Sequence, residues 1–132
     1  MSQRQVHSLE FEIKTGRTYS GAARKGNMVF ISGMVGNDPA TGRIVAKYDV
    51  VAQARQAYTN IKYLLEKLGA TMGDVVKTTD YIVAEALPSY KQTAQVRREF
   101  LGDQPPAATG IVVHRLLDPD ALIEIDAIAI VD

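Results

Sequence analysis

Cysteine is absent from these 132 residues, which excludes disulfides, thiolate nucleophiles and sulfur-ligated metals together. Net charge is missing as well. The 15 Lys and Arg residues cancel the 15 Asp and Glu residues, so the chain lacks the positive footprint of phosphate-backbone binding. Aromatic and basic residues are not interleaved as single-stranded nucleic acid binding requires. No apolar run approaches membrane-spanning length, and Met1-Ser-Gln-Arg-Gln-Val-His7 has no apolar stretch of the signal-peptide kind. A soluble, cytoplasmic protein with no membrane or nucleic-acid partner is expected. His7 and His114 are the only histidines and give no support to a metal site, so no cofactor is expected. Repeats, linkers and low-complexity segments are lacking. Gly69-Ala-Thr-Met-Gly73 is also without the Gly-Lys-Ser/Thr ending of a phosphate loop.

What is present is an ordinary globular composition, 46% apolar and 23% charged. Residues 1–132 are expected to form one domain, large enough to bury about two thirds of the unfolded surface. Leu9, Phe11 and Ile13 alternate with Glu10, Glu12 and Lys14, the period of a half-buried strand. Asn27 to Gly33 is a continuous apolar run that reads as a covered strand. Asn37-Asp-Pro-Ala-Thr-Gly42 has turn chemistry, with Arg43-Ile-Val-Ala46 as the returning hairpin partner. From Val50 to Leu68 apolar residues recur at steps of three and four between Asp49, a good N-cap, and Gly69, a good C′ residue. Val75 to Val83 reads as a strand. A second helix runs from Pro88 to Leu101 with Tyr90, Ala94, Arg97 and Leu101 on its stripe and Gly102 closing it. Gln104-Pro-Pro106 then leads into two closing strands. The fold class is α+β.

Several of these strands are apolar on both faces. Met28 and Phe30 oppose Val29 and Ile31; Ile111 and Val113 oppose Val112. In the last strand Ile123, Ile125, Ala127 and Ala129 oppose Leu122, Ile128 and Ile130. Two helices can cover only one face of such a sheet, so another copy of the chain is expected over the other.

Five segments carry a resemblance: Tyr19-Ser-Gly21, Gly26-Asn-Met-Val-Phe-Ile-Ser-Gly33, Ala52-Gln-Ala-Arg-Gln56, Gly73-Asp-Val-Val-Lys-Thr-Thr79 and Ile123-Glu-Ile-Asp-Ala-Ile-Ala129. Together, and in this order over nearly the whole chain, they resemble the RidA/YjgF family. The resemblance implies a chorismate-mutase-like domain: a mixed six-stranded sheet with two helices on one face, trimerising to a barrel with clefts between subunits. It also implies hydrolysis of reactive enamines and imines to ketones and ammonia. In typical deaminase members the penultimate strand opens Pro-Ala-Arg-Ser, and its arginine clamps a substrate carboxylate. Here the matching residues are Pro106-Ala107-Ala108-Thr109, and Ala108 has no guanidinium fork. Gly110 replaces the cysteine that often follows, and Ala94 stands where an asparagine is usual.

The acid of the last strand is kept as Glu124, the expected catalytic residue, since a carboxylate can polarise water and relay its proton. Tyr19, Ser32, Gly33, Ala108, Thr109 and Gly110 are the expected substrate-binding positions. Each also has a bland reading. Glu124 could pair with an arginine such as Arg115, and Asp126 could make an interface or surface ion pair. Tyr19 could pack with a wet tip, Ser32 could bond a backbone carbonyl, and Thr109 could be structural. Arg97 and Arg98 read as a solvated face with Glu99, and His114 as a packed or solvated residue.

The leading expectation is a RidA-like hydrolase of a small imine, enamine or related metabolite other than the usual 2-aminoacrylate type. An aminomuconate-type ring-cleavage product is one candidate. The alternative is a trimer that binds or senses a small molecule without catalysis. A ribonuclease or translation inhibitor is disfavoured by the neutral charge. Sedimentation at micromolar concentration is expected to give an oligomer; a stable monomer would remove the argument from the uncovered face.

Overall fold

The computed structural model describes residues 3–132. In chain order they form β1 (Gln5–His7), the short helix α1 (Glu10–Lys14), β2 (Ala22–Lys25), β3 (Met28–Val35) and the long helix α2 (Val50–Lys67). There follow β4 (Val75–Val83), the short helices α3 (Leu87–Tyr90) and α4 (Ala94–Leu101), β5 (Ala107–Val113) and β6 (Ile123–Ile130). The strands make one sheet of order β1-β2-β3-β6-β4-β5. Only β4 and β5 run parallel; every other pairing is antiparallel. The sheet is therefore mixed and six-stranded, as the resemblance implied.

Helix α2 has the ends its sequence promises. Asp49 Oδ1 accepts the Ala52 N–H at 3.0 Å, and Gly69 follows the helix at φ +82°, where a residue without Cβ is unstrained. Its buried stripe of Ala54, Ala57, Ile61, Leu64 and Leu65 meets the inward residues Val29, Ile31, Ile123, Ile125, Ala127 and Ala129. Tyr58 of α2 stacks on Phe100 of α4 with ring centroids 5.4 Å apart, which seats the second helical layer. Strand alternation sends Met28, Phe30 and Ile130 to the other face, where they are 37%, 47% and 41% exposed.

Buried amides tie α2 to its surroundings. Gln53, with no exposed surface, accepts the Leu122 N–H at 2.8 Å and offers its amide protons to the carbonyls of Ala46, Lys47 and Asp120, each at 3.2 Å. A Cβ on Gly36 would lie 2.5 Å from Gln53 Cα, so the chain leaving β3 meets α2 backbone to backbone. Asn60 Nδ2 reaches the Asn37 carbonyl at 2.9 Å. The apolar faces of Leu, Ile and Val could slide along the sheet; these directional bonds hold one register.

Four expectations are corrected. Leu9 to Ile13 is not a strand: residues 10–14 form α1, Glu12 Oε1 accepts the Leu9 N–H at 2.8 Å, and Ile13 is 66% exposed. Three alternating apolar residues cannot distinguish a strand from one helical turn. The hairpin partner of β3 is β2, joined through Gly26 at φ +60°, the position a type II′ turn gives to glycine. Arg43–Ala46 supplies only an isolated bridge, Asn37 to Ile44. The second helix runs on from Leu87 to Leu101, as expected, but tightens to a 3-10 turn at Lys91–Thr93 between α3 and α4, where the Thr93 hydroxyl donates to the Tyr90 carbonyl at 2.6 Å. Its deeply buried residues are Thr93 and Val96, not the stripe through Tyr90 and Arg97. Leu122, expected on the uncovered face, stands before β6 and is buried. β5 is an edge strand, with Ile111 and Val112 40% and 50% exposed in the single chain.

Replacing Gln53 by Leu is expected to lower unfolding stability by about 2–4 kcal/mol, because a buried N–H and several carbonyls lose their partner. Urea denaturation measures this; a change below about 1 kcal/mol would show that water takes over these bonds.

Candidate functional site

A bulge in β3 prepares the site. Its register with β6 shifts between Ile31 and Met34, placing Ser32 and Gly33 outside the regular ladder. The Ser32 N–H donates to the Gly21 carbonyl at 2.9 Å and its hydroxyl to the Ser20 carbonyl at 2.7 Å. Ser32 thus pins the segment that carries Tyr19. Gly33 has a different reason: a Cβ there would lie 2.6 Å from both Cδ and Oε2 of Glu124. The acid lies across the glycine, in space any other residue would fill.

Glu124 stands on β6 between Val35 of β3 and Tyr81 of β4, half-buried. It makes no ion pair among the described residues. Arg115, its alternative partner in the sequence reading, is exposed and reaches only the Leu116 carbonyl at 3.4 Å. Burial pushes the Glu124 carboxyl above its ordinary value, and the negative charge of Asp126 adds to the rise. Asp126 in turn accepts the Tyr81 hydroxyl at 3.1 Å and forms no ion pair among the described residues.

These residues border a cleft of about 270 Å³ whose walls include Phe11, Arg17, Tyr19, Gly33, Asn37 and Glu124. Tyr19 is 51% exposed, and its hydroxyl accepts Arg17 Nη1 at 2.5 Å. Sequence reasoning missed Arg17; its place two residues before Tyr19 was the available signal.

The structure brings Tyr19, Gly33 and Glu124 together with Ser32 behind them. It does not bring Ala108, Thr109 and Gly110 to them. These lie on β5, separated from β6 by β4 and so about 10 Å away by strand spacing alone. Ala108 and Gly110 pair with the buried Thr78 and Asp80 and share their helix-covered face. Thr109 faces the other way and accepts Lys77 Nζ at 2.5 Å. Ala108 borders a separate groove of about 440 Å³ with Ala94, Arg97, Arg98 and Pro106. His114 lies just past β5, exposed.

The Arg97–Arg98–Glu99 segment is not a simple solvated face. Arg97 Nη1 lies 3.5 Å from Asp80 Oδ2 and donates to Thr93 Oγ1 at 2.6 Å, while Glu99 pairs with Arg55 of α2 at 2.9 Å. Asp80, also missed, is 4% exposed and accepts the Tyr90 hydroxyl at 2.6 Å. Burial raises its carboxyl, against the pull of Tyr90 and Arg97. An acid inside the β-branched run Val75–Val83 was its signal.

An acid laid over a glycine bulge, on a six-stranded mixed sheet backed by helices, defines a class of small α+β proteins with a surface cleft. The family described as Endoribonuclease L-PSP matches residues 10–131. The chain is 41% identical over 111 residues to a RutC family protein of Pyrococcus horikoshii, covering 84% of this chain and 85% of that one. It is 37% identical over 108 residues, 80% of each chain, to the 2-iminobutanoate/2-iminopropanoate deaminase of Escherichia coli. The YjgF gene product of Escherichia coli superimposes with a TM-score of 0.80 at 32% identity, over 96% of this chain and 98% of that one. The chain belongs to the RidA/YjgF family. No helix among the described residues is long and apolar enough to cross a membrane.

The raised Glu124 carboxyl has a consequence for stability. The native state holds its proton more tightly than the unfolded chain, so stability falls as pH rises from the ordinary value of 4.5 through the raised one. Glu124→Gln is expected to remove that loss and raise Tm at pH 7, with little change at pH 4. Thermal melts across this range check it; a lower Tm at pH 7 would contradict the sign.

Proposed function

We propose that this protein hydrolyses a reactive imine or enamine of a small metabolite to a ketone and ammonia. The observation that carries this is Glu124: a half-buried carboxylate with no ion-pair partner among the described residues, held over Gly33 at the wall of an open cleft. The carboxylate accepts a proton from water as the oxygen adds to the C=N carbon and passes it to nitrogen, giving a carbinolamine. It then takes the hydroxyl proton and hands it to nitrogen as the C–N bond breaks, leaving the carbonyl and ammonia. An enamine enters the same path after protonation at carbon. One water is consumed per ammonia released, and the chain's own groups suffice without a covalent intermediate. The raised carboxyl suits both halves of the relay, because its proton affinity is closer to neutrality than that of a solvated glutamate.

The working unit in this reading is a cytoplasmic homotrimer. The exposed Met28, Phe30 and Ile130 need cover that the chain's own helices do not give, and a second copy would supply it. A neighbouring β5 would then bring Ala108, Thr109 and Gly110 to the Glu124 cleft, which one chain leaves half built. With Ala108 in place of an arginine, that strand offers no carboxylate fork, so the substrate differs from the small 2-imino acids. A larger enamine of the aminomuconate type fits the added room. A second reading, binding without turnover, draws on the small Ala94, Ala108 and Gly110 at the β5 side.

The test is ammonia release from 2-aminomuconate and from 2-iminopropanoate generated by an amino-acid oxidase. The larger substrate is expected to be preferred, and Glu124→Ala to lower its rate by about 100-fold or more. Ala108→Arg is expected to raise activity on 2-iminopropanoate. A compound that raises Tm while neither substrate is consumed would select the binding reading.

A further inference from the structure

We infer that Arg17 is the anion-binding residue of the Glu124 cleft, receiving the carboxylate that Ala108 cannot. The inference rests on reading this cleft as the imine site and adds where its substrate's charge is held. Arg17 shares the cleft wall with Glu124 and Gly33. Its guanidinium carbon lies 5.1 Å from the centre of the Phe11 ring and 5.7 Å from that of Tyr19. Phe11 is a firm support: it is 8% exposed and packs so closely on Gly42 that a Cβ there would lie 2.6 Å from its ring. Stacking on aromatic faces orients a guanidinium while leaving its edge free for a planar anion.

The hydrogen bonds leave that edge open. Nη1 donates to the Tyr19 hydroxyl and Nε to Thr15 Oγ1 at 3.4 Å; Nη2 has no partner among the described residues. Because Tyr19 accepts from Arg17, its own proton remains to be given. An Nη2 edge and a phenolic O–H side by side make a two-point receptor for a carboxylate.

The charge is also uncommitted. No carboxylate of the described residues lies within 4 Å of Arg17. The cleft's other acids are engaged elsewhere: Glu12 accepts the Leu9 N–H at 2.8 Å, and Asp118 the Asp120 N–H at 2.9 Å. Arg97, the rival beside Ala108, differs on this point. It is held by Asp80 and Thr93, so binding a substrate there would strip a buried acid of its counter-charge. The cation therefore stands on the Glu124 side of the cleft, and a substrate carboxylate docks next to the acid that handles water.

Binding of 2-oxobutanoate, a minimal carboxylate probe of the anion site, can be followed by NMR titration of the full-length protein, with 2-oxobutanamide as the uncharged control. Saturable binding of the acid is expected, weakened about 10-fold or more by Arg17→Gln and about 3-fold by Tyr19→Phe, as loss of a charge-assisted and a neutral hydrogen bond requires. Glu124→Gln should retain binding while losing hydrolysis, which separates this inference from the catalytic one. Asp80→Asn/Arg97→Gln, which removes both charges of the rival pair, should leave the affinity within about 2-fold. Equal binding by Arg17→Gln, equal binding of the amide, or no saturable binding by the unaltered protein would each overturn the assignment. Binding that survives in Arg17→Gln while Glu124-dependent hydrolysis continues would overturn it alone.

Discussion

The fully buried amide of Gln53 is the fastening on which the site depends. It sits on α2 but bonds the loop that leads into that helix and the residues that lead into β6. A helix packed on a sheet by apolar contact alone has a shallow preference among neighbouring positions. Four directional bonds from one side chain in a water-free layer remove that freedom. Gly36 lets the two backbones approach, Gln53 fixes them, and the β6 residue two places beyond Leu122 is Glu124. The position of the acid is thus set from the opposite face of the sheet.

On its own face the acid is placed by an absence of atoms. Gly33 carries no Cβ, the β3 bulge turns its backbone aside, and the Glu124 carboxylate occupies the space. Such a carboxylate is poorly solvated and close to Asp126, so it holds its proton more tightly than one in water. That is a cost to folding at neutral pH. Arg17 sits along the same wall, braced by Phe11 and Tyr19. The cleft wall therefore carries both a cation and an acid.

Legibility in the sequence followed the kind of physics involved. The long helix declared itself through nine buried positions and two capped ends, and β4 through a run of β-branched residues whose limits match to the residue. Glu124 and Gly33 were visible as types in a pattern. Short elements were not visible: three residues of β1 and one turn of α1 carry too little periodicity to separate helix from strand. The 3-10 turn at Lys91–Thr93 is a local tightening that periodicity does not report, and the commitments of Arg97 and Asp80 depend on elements distant in sequence.

By itself the sequence determined the α+β class, the main helix and the central strands, because local periodicity, capping and composition act over a few residues. Only the tertiary structure decided that β6 lies between β3 and β4 while β5 takes the edge, since strand order is a matter of long-range pairing. It also decided that Glu124 rests on Gly33 with no ion-pair partner among the described residues, and that of two arginines Arg97 is bound to a buried acid while Arg17 meets no carboxylate among the described residues. Those outcomes turn on distances between residues far apart in the chain, and no local pattern encodes them.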